Sequence, residues 1–353
     1  MATPHHMIDE IREQPKAVSD TLKACVDEAK SVVQRQDVEK MSMVYFTGSG
    51  TSYHACLAAN YALSSLTQMF GSTLPASEFP KWIRQARANE TMLVAISQSG
   101  ESSDILAAAH AAMKSGIHLV AVTNTPKSTL ANLSEFNIIS RAGEERAVTA
   151  TKSFTATLTA AYLLMLELAR RTIADKYRKM MAELLTLPTQ MEQTIALCEK
   201  PVMELASRLK EKEFFFLLGS GSNYPTALEG ALKLKEACDL HAEGFATREF
   251  LHGPIRLVDQ NTPVLIIESE REAKETGLLS ESFLKFGAPT IEISPRNGQA
   301  PRDGVVRLEV AAGVSEVFST PVNIIPLQIY AYYSALVRNL NPDHPEKLTK
   351  VVG

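Results

Sequence analysis

The sequence has little cysteine and a single tryptophan. Its four cysteines, Cys25, Cys56, Cys198 and Cys238, are scattered over 353 residues, and none stands in a CxxC or other ligand spacing. Neither a disulfide framework nor a zinc site is therefore expected. Charge of one sign is also lacking: 36 Lys and Arg against 40 Asp and Glu leave a formal net charge of −4. That balance offers no basic face for nucleic acid and no polybasic anchor for a membrane. No apolar run approaches the roughly 18 residues of a membrane span. Residues Met1 to Lys16 are polar, with Pro4 and His5–His6, and lack the apolar core of a signal peptide. With 45% hydrophobic residues the chain can fill a core, and its length suggests about two domains. A cytoplasmic enzyme is the expectation these absences leave.

What is present is a repeat. Val44-Tyr45-Phe46-Thr47-Gly48-Ser49-Gly50-Thr51-Ser52-Tyr53 is a short apolar strand running into a Gly/Ser turn, and Phe215 to Tyr224 repeats it 171 residues on. The same offset carries Leu93–Ile96 onto Val264–Ile267, His118–Val122 onto Pro289–Ile293, and Thr151–Leu166 onto Val322–Val337. Four matches in register point to a duplicated domain. In each copy short, nearly continuous apolar strands alternate with Ala-rich helical stretches, in the first copy Ala55 to Leu66, Ser103 to Ser115 and Thr155 to Arg170. This pattern predicts an α/β fold. Each copy is a doubly wound parallel sheet flanked by helices, a flavodoxin-like three-layer α/β/α arrangement. The expected divisions are a helical lead over 1–40, interrupted near Pro15, a first domain over 41–185 and a linker helix over 186–201, bounded by Pro188 and Pro201. A second domain over 202–340 and a polar tail over 341–353 follow.

In open α/β sheets ligands sit beyond the carboxyl ends of the strands. Two strands of the first copy end in hydroxyl-rich loops, Gly48-Ser49-Gly50-Thr51-Ser52 and Ser97-Gln98-Ser99-Gly100-Glu101-Ser102, each leading into a helix. Glycine admits a ligand close to the backbone, and the helix start offers free N–H groups and a positive dipole end. Such a site suits a phosphate monoester without a metal. The nucleoside-triphosphate motif GxxxxGK[ST] is absent. Tyr53 stands where a dinucleotide motif needs its third glycine, and no acidic residue ends the second strand. Either loop alone reads equally well as a helix cap or turn; two on neighbouring strands favour phosphate.

In the second copy Glu229, Lys233 and Glu236 are spaced four and three apart, so one helix face carries all three. An exposed ion-paired stripe would look the same, but Ala227, Leu228, Ala231, Leu232 and Leu234 make most of the remaining surface apolar. His252 precedes Gly253-Pro254 and belongs to a turn. These groups suit proton transfer on a sugar phosphate. A carboxylate could move a proton between C1 and C2, a histidine could open the ring, and a lysine could form a Schiff base with the open-chain carbonyl. Spacing alone does not assign the roles.

Several motifs together are specific: Glu10-Ile11-Arg12-Glu13-Gln14-Pro15, GSGTSYHA at Gly48 to Ala55, ISQSGES at Ile96 to Ser102, Ala150-Thr151-Lys152-Ser153-Phe154, EGALKLKE at Glu229 to Glu236, HAEGF at His241 to Phe245 and LHGP at Leu251 to Pro254. With them the chain resembles the family of tandem sugar isomerase (SIS) domains. It is most similar to the isomerase half of the glutamine–fructose-6-phosphate aminotransferases. The resemblance implies a site for a hexose 6-phosphate, with no cofactor and no metal. Gly50, Thr51, Ser52, Ser97, Gln98, Ser99 and Ser102 would hold the phosphate and sugar, and Val148 would add backbone contacts. Glu236 would shuttle the C1–C2 proton, with Glu229 and Lys233 positioning and polarising beside it. His252 would open the ring from the neighbouring subunit of a homodimer. The tail over 341–353 would close the active site and bring Lys350, or Lys347, as the Schiff-base lysine. No nucleic-acid or membrane partner is implied.

The aminotransferases carry an N-terminal glutaminase domain, for which this sequence leaves no room before Glu10. The expectation is therefore a stand-alone glucosamine-6-phosphate deaminase. An Amadori-type fructosamine-6-phosphate deglycase, a plain hexose-phosphate isomerase and a phosphosugar-binding sensor are the alternatives.

Overall fold

A computed structural model describes residues 5–35, 40–83, 88–298 and 300–350. Backbone contacts divide the chain into two compact units. The first domain comprises Glu13–Glu145, Lys152–Pro188 and Thr349–Gly353, and the second comprises Met1–Arg12, Arg146–Thr151 and Thr189–Leu348.

The chain opens with α1 (His6–Arg35), followed by β1 (Met43–Gly48), α2 (Thr51–Leu66), β2 (Phe70–Pro75), α3 (Phe79–Trp82) and β3 (Thr91–Ser97). Then come α4 (Ser103–Lys114), β4 (His118–Thr123), α5 (Thr129–Leu133), β5 (Phe136–Ile139) and α6 (Lys152–Ala169). The sheet is wholly parallel in the order β2-β1-β3-β4-β5, with Thr47 opposite Ala95 and Ala95 opposite Ala121. This is the flavodoxin-like order, with its crossover point between β1 and β3. All seven residues of β3 are buried, because helices cover both faces of the sheet. Every residue of α6 is buried too, which explains a helix that is apolar around most of its circumference.

The second domain repeats the plan. α7 (Ala174–Arg208) begins in the first domain and ends in the second, which continues with β6 (Phe214–Gly219), α8 (Asn223–Cys238), β7 (His241–Ala246), α9 (Thr247–Phe250) and β8 (Val264–Ile267). These are followed by α10 (Ala273–Lys285), β9 (Thr290–Pro295), β10 (Val305–Val310), α11 (Thr320–Asn323) and α12 (Ile325–Val337). Its parallel order, β7-β6-β8-β9-β10, matches the first sheet strand for strand. β6 and β7 begin 171 residues after β1 and β2. The turn after the first strand has the same shape in both copies: Gly50 and Gly221 each sit at φ 53°, a left-handed conformation that favours glycine.

The helices ahead of each sheet belong to the repeat as well. β5 and β10 are edge strands, whose outer N–H and C=O groups need partners. In the first domain Thr21 Oγ1 on α1 accepts from Arg141 N at 2.9 Å, Glu28 Oε2 accepts from Ile139 N at 2.7 Å, and Cys25 Sγ donates to Ile139 O at 3.0 Å. In the second, Thr194 Oγ1 on α7 accepts from Ala311 N, also at 2.9 Å.

Three prolines behave differently from the sequence expectation. α1 runs unbroken through Pro15 for 30 residues, and α7 is a single 35-residue helix that includes both Pro188 and Pro201. An interior proline removes one backbone bond and costs roughly 3 kcal/mol. Apolar burial on the same helices offsets it, at about 1.5–3 kcal/mol per large side chain. Val18, Leu22 and Cys25 on α1, and Leu187, Met191 and Val202 on α7, are all buried. The tail from Asn341 to Lys350 is non-helical.

Candidate functional site

In the first domain the two serine loops follow β1 and β3, which are neighbours, so they emerge side by side at the carboxyl edge of the sheet. Gly50 caps α2, and Thr51 and Ser52 form its first turn, half-buried. Ser97 is 6% exposed, and its Oγ accepts from Gly100 N at 3.1 Å. Ser99 Oγ accepts from Glu101 N at 3.3 Å. In each case the hydroxyl oxygen serves as acceptor within the loop, which leaves the O–H proton available for an anion. The Gln98 carbonyl accepts from Thr123 Oγ1, Thr125 Oγ1 and Asn124 N, each at 3.2 Å, and so fixes the loop to the end of β4. Ser102 stands at the N-cap position of α4, half-buried, and its side chain makes no cap hydrogen bond. A cavity of ≈ 510 Å³ opens beside these loops, and its lining includes Gln98, Ser99, Asn124, Arg141, Glu145 and Lys350. Of the expected phosphate residues, Gln98 and Ser99 line this cavity. Gly50, Thr51, Ser52, Ser97 and Ser102 stand in the same pair of loops outside its lining.

Lys350 is held there by a residue the sequence reading passed over. Lys350 Nζ lies 2.7 Å from Glu145 Oε2, and the Glu145 side chain is fully buried. The same carboxylate accepts from Ser153 N at 3.1 Å and from Ser153 Oγ at 2.5 Å, in the first turn of α6. A carboxylate at a helix start is a recognisable signal, since it meets free N–H groups and the positive dipole end. It was obscured because Glu145 lies seven residues before α6, outside any capping-box spacing. Lys347 is exposed, with a positive φ of 64°.

The second domain holds the ionisable cluster. Glu229 and Lys233 on α8 have fully buried side chains, and the Glu236 side chain is 23% exposed. Lys233 Nζ lies 3.1 Å from Glu229 Oε1 and 2.6 Å from Glu236 Oε2. Burial disfavours the ammonium, but the charges of Glu229 and Glu236 outweigh it and raise the Lys233 pKa above the ordinary lysine value. Lys233 is therefore a fixed cation near neutral pH. It can orient and polarise, and it is not a free amine nucleophile. Because Lys233 grips one oxygen of Glu236, the partly exposed carboxylate has a defined orientation.

His252 lies in the turn after α9, exposed, with its backbone N–H donating to Glu249 O at 3.1 Å. Its ring has no hydrogen-bond or ion-pair partner among the described residues. Val148 donates its N–H to Asp343 O at 2.9 Å, and the Asp343 carboxylate accepts from His6 N and Met7 N at 2.8 Å each. The backbone around Val148, the first turn of α1 and the tail are thus one hydrogen-bonded group within the second domain.

Fold and site define a class: duplicated flavodoxin-like domains, with serine loops at the carboxyl edge of one and a carboxylate–lysine–carboxylate cluster on a helix of the other. The SIS domain family model matches residues 39–167 and 208–338, and the chain belongs to that family. It is 36% identical to a glutamine–fructose-6-phosphate aminotransferase [isomerizing] of Gloeobacter violaceus and 35% identical to that of Thermococcus kodakarensis. Each match covers 99% of this chain and 58% of the relative, so the chain spans little more than half the length of these curated relatives. The C-terminal domain of glucosamine-fructose-6-phosphate aminotransferase from Francisella tularensis superposes with a TM-score of 0.89 at 29% identity, over 98% of this chain and 99% of that one. Glucosamine-6-phosphate deaminase from Thermotoga maritima shares the fold, with a TM-score of 0.78 at 23% identity, over 98% and 99% of the two chains. Among the described residues no helix is long and apolar enough to cross a membrane.

Proposed function

We propose that the chain is a phosphosugar isomerase that deaminates glucosamine 6-phosphate to fructose 6-phosphate and ammonia, with water as the second substrate. The observation that carries this reading is the clamped Glu236, a partly exposed carboxylate held at 2.6 Å by a buried lysine. Aldose–ketose interconversion needs one base that takes a proton from one carbon and returns it to its neighbour, and a fixed carboxylate is suited to this. The names of the aminotransferase relatives support an amino-sugar substrate, and the hydroxyl-rich loops of Gly50 to Ser52 and Ser97 to Ser102 support a phosphate.

In this reading the hydroxyls of Ser52, Ser97, Ser99 and Ser102, the side chain of Gln98 and the N–H groups after Gly50 and Thr51 bind the phosphate. Val148 contacts the sugar. His252, contributed by the partner of a homodimer, protonates the ring oxygen. Glu236 moves the proton from C2 to C1 of the open-chain amino aldose, giving an imine at C2, while Lys233 and Glu229 hold it in place. Lys350 leaves Glu145 and adds to C2 as ammonia departs, which makes the imine nitrogen its own. Water then hydrolyses that imine to the ketose carbonyl of fructose 6-phosphate and frees Lys350. Incubating the protein with glucosamine 6-phosphate is expected to yield ammonia and fructose 6-phosphate in equal amounts; formation of neither would refute the proposal.

A further inference from the structure

The second domain keeps the crevice of the first but changes its chemistry. At the carboxyl end of β8, the 171-residue repeat sets Glu268 and Ser269 where the first domain has Ser97 and Gln98. A cavity of ≈ 220 Å³ opens there, and Glu268, Ser269, Arg271, Ser315 and Glu316 line it. Ser269 is only 4% exposed, yet its Oγ has no hydrogen-bond partner among the described residues, and the half-buried Ser315 Oγ has none either. A buried hydroxyl without a partner is costly, so two of them lining one cavity point to a ligand that satisfies both.

The walls are built rather than accidental. Asn223 Oδ1, at the start of α8, accepts from Asn323 Nδ2 at 2.9 Å and from Ser319 Oγ at 3.2 Å, which makes a rigid floor. The positive φ of Gly221 brings the turn against Glu316, where a Cβ would lie 2.5 Å from Oε1. Charge then selects the ligand. Two carboxylates face one guanidinium, and Arg271 Nε, on a side chain 86% exposed, is already 3.6 Å from Glu316 Oε2. Among the lining side chains the carboxylates outnumber the guanidinium, so an ammonium would meet its complement there, and Arg302 and Arg307, which act on Glu268 from behind, are engaged by Glu292. The volume lies below the roughly 300–1,000 Å³ of drug-sized pockets, and so fits a single small ring.

We propose that this crevice binds a small, unphosphorylated, polyhydroxylated amine, with its ammonium against Glu268 and Glu316 and its hydroxyls on Ser269 and Ser315. The site is separate from the serine loops, so the inference does not depend on the function proposed above. Titration calorimetry of the full chain with free glucosamine, N-acetylglucosamine and inorganic phosphate tests it. Glucosamine is expected to bind. N-acetylglucosamine, whose nitrogen carries no charge, and phosphate should each produce no heat at this site. Glu268→Gln and Ser269→Ala should each weaken glucosamine at least tenfold while leaving turnover of glucosamine 6-phosphate unchanged. Equal binding of the acetylated sugar, absence of glucosamine binding, or glucosamine affinity unaltered in both variants would overturn the proposal. Turnover by the wild type is read independently, so its absence would count against the function proposed for the serine loops and Glu236 and not against this crevice, whereas its loss in both variants would overturn the crevice as a separate site.

Discussion

Lys233 has no exposed surface and lies between two carboxylates, so its charge is a structural commitment. Its pKa is raised on folding, so its stabilisation is complete below the ordinary lysine value of 10.5 and disappears as pH rises through the higher folded value. Lys233→Met leaves two acids without their cation and is expected to cost about 3–5 kcal/mol in urea unfolding. The stability gap between wild type and variant should be constant from about pH 6 to 9 and narrow only above about 10.5. A gap that closed at neutral pH would contradict a charged Lys233. The cysteines give a second test at this scale. Burial raises all four thiols, Cys198 and Cys238 to about 12. The native protein should therefore react with Ellman's reagent very slowly, and the urea-unfolded protein should release four equivalents promptly. One fast native thiol would show that a buried cysteine opens.

At the scale of elements, the matching threonines on α1 and α7 are the least visible part of the repeat. Thr21 and Thr194 each satisfy a backbone N–H just beyond an edge strand. Each threonine-to-valine change keeps the shape and removes the acceptor, so each should lower stability by about 1–2 kcal/mol, and the double change should be additive. Additivity in a denaturant series would confirm that the contacts are independent, while no effect from either would show that water replaces them. These bonds were not legible in the sequence because they link residues more than a hundred positions apart. The unbroken course of α1 and α7 was hidden for a related reason. Pro15, Pro188 and Pro201 carry a strong local signal to stop, and it is overridden by apolar burial that only the folded chain supplies.

Across the whole molecule the repeat was the readable feature. β1 and β6 begin 171 residues apart, as do β2 and β7, and the shared φ of 53° at Gly50 and Gly221 follows from two copies of the same Gly-Ser-Gly turn. The site was readable where a single element holds it. Glu229, Lys233 and Glu236 are on one face of one helix, so their spacing announced the cluster. Glu145 was missed because its partners, Ser153 and Lys350, are joined to it only by folding. Glu145→Gln is expected to leave substrate KM within about twofold and to lower kcat at least tenfold, because in the proposed function the carboxylate delivers Lys350 to the reacting carbon. A change confined to melting temperature would reduce Glu145 to a cap of α6.

In the proposed function Glu236 carries a proton between neighbouring carbons of a hexose 6-phosphate. The most direct test is to incubate fructose 6-phosphate with the protein in D2O and follow the C1 and C2 positions by NMR. Deuterium incorporation is expected with the wild type, and a loss of at least a hundredfold in Glu236→Gln, with the variant's melting temperature retained. Incorporation at an undiminished rate in Glu236→Gln, or none in the wild type, would contradict this role.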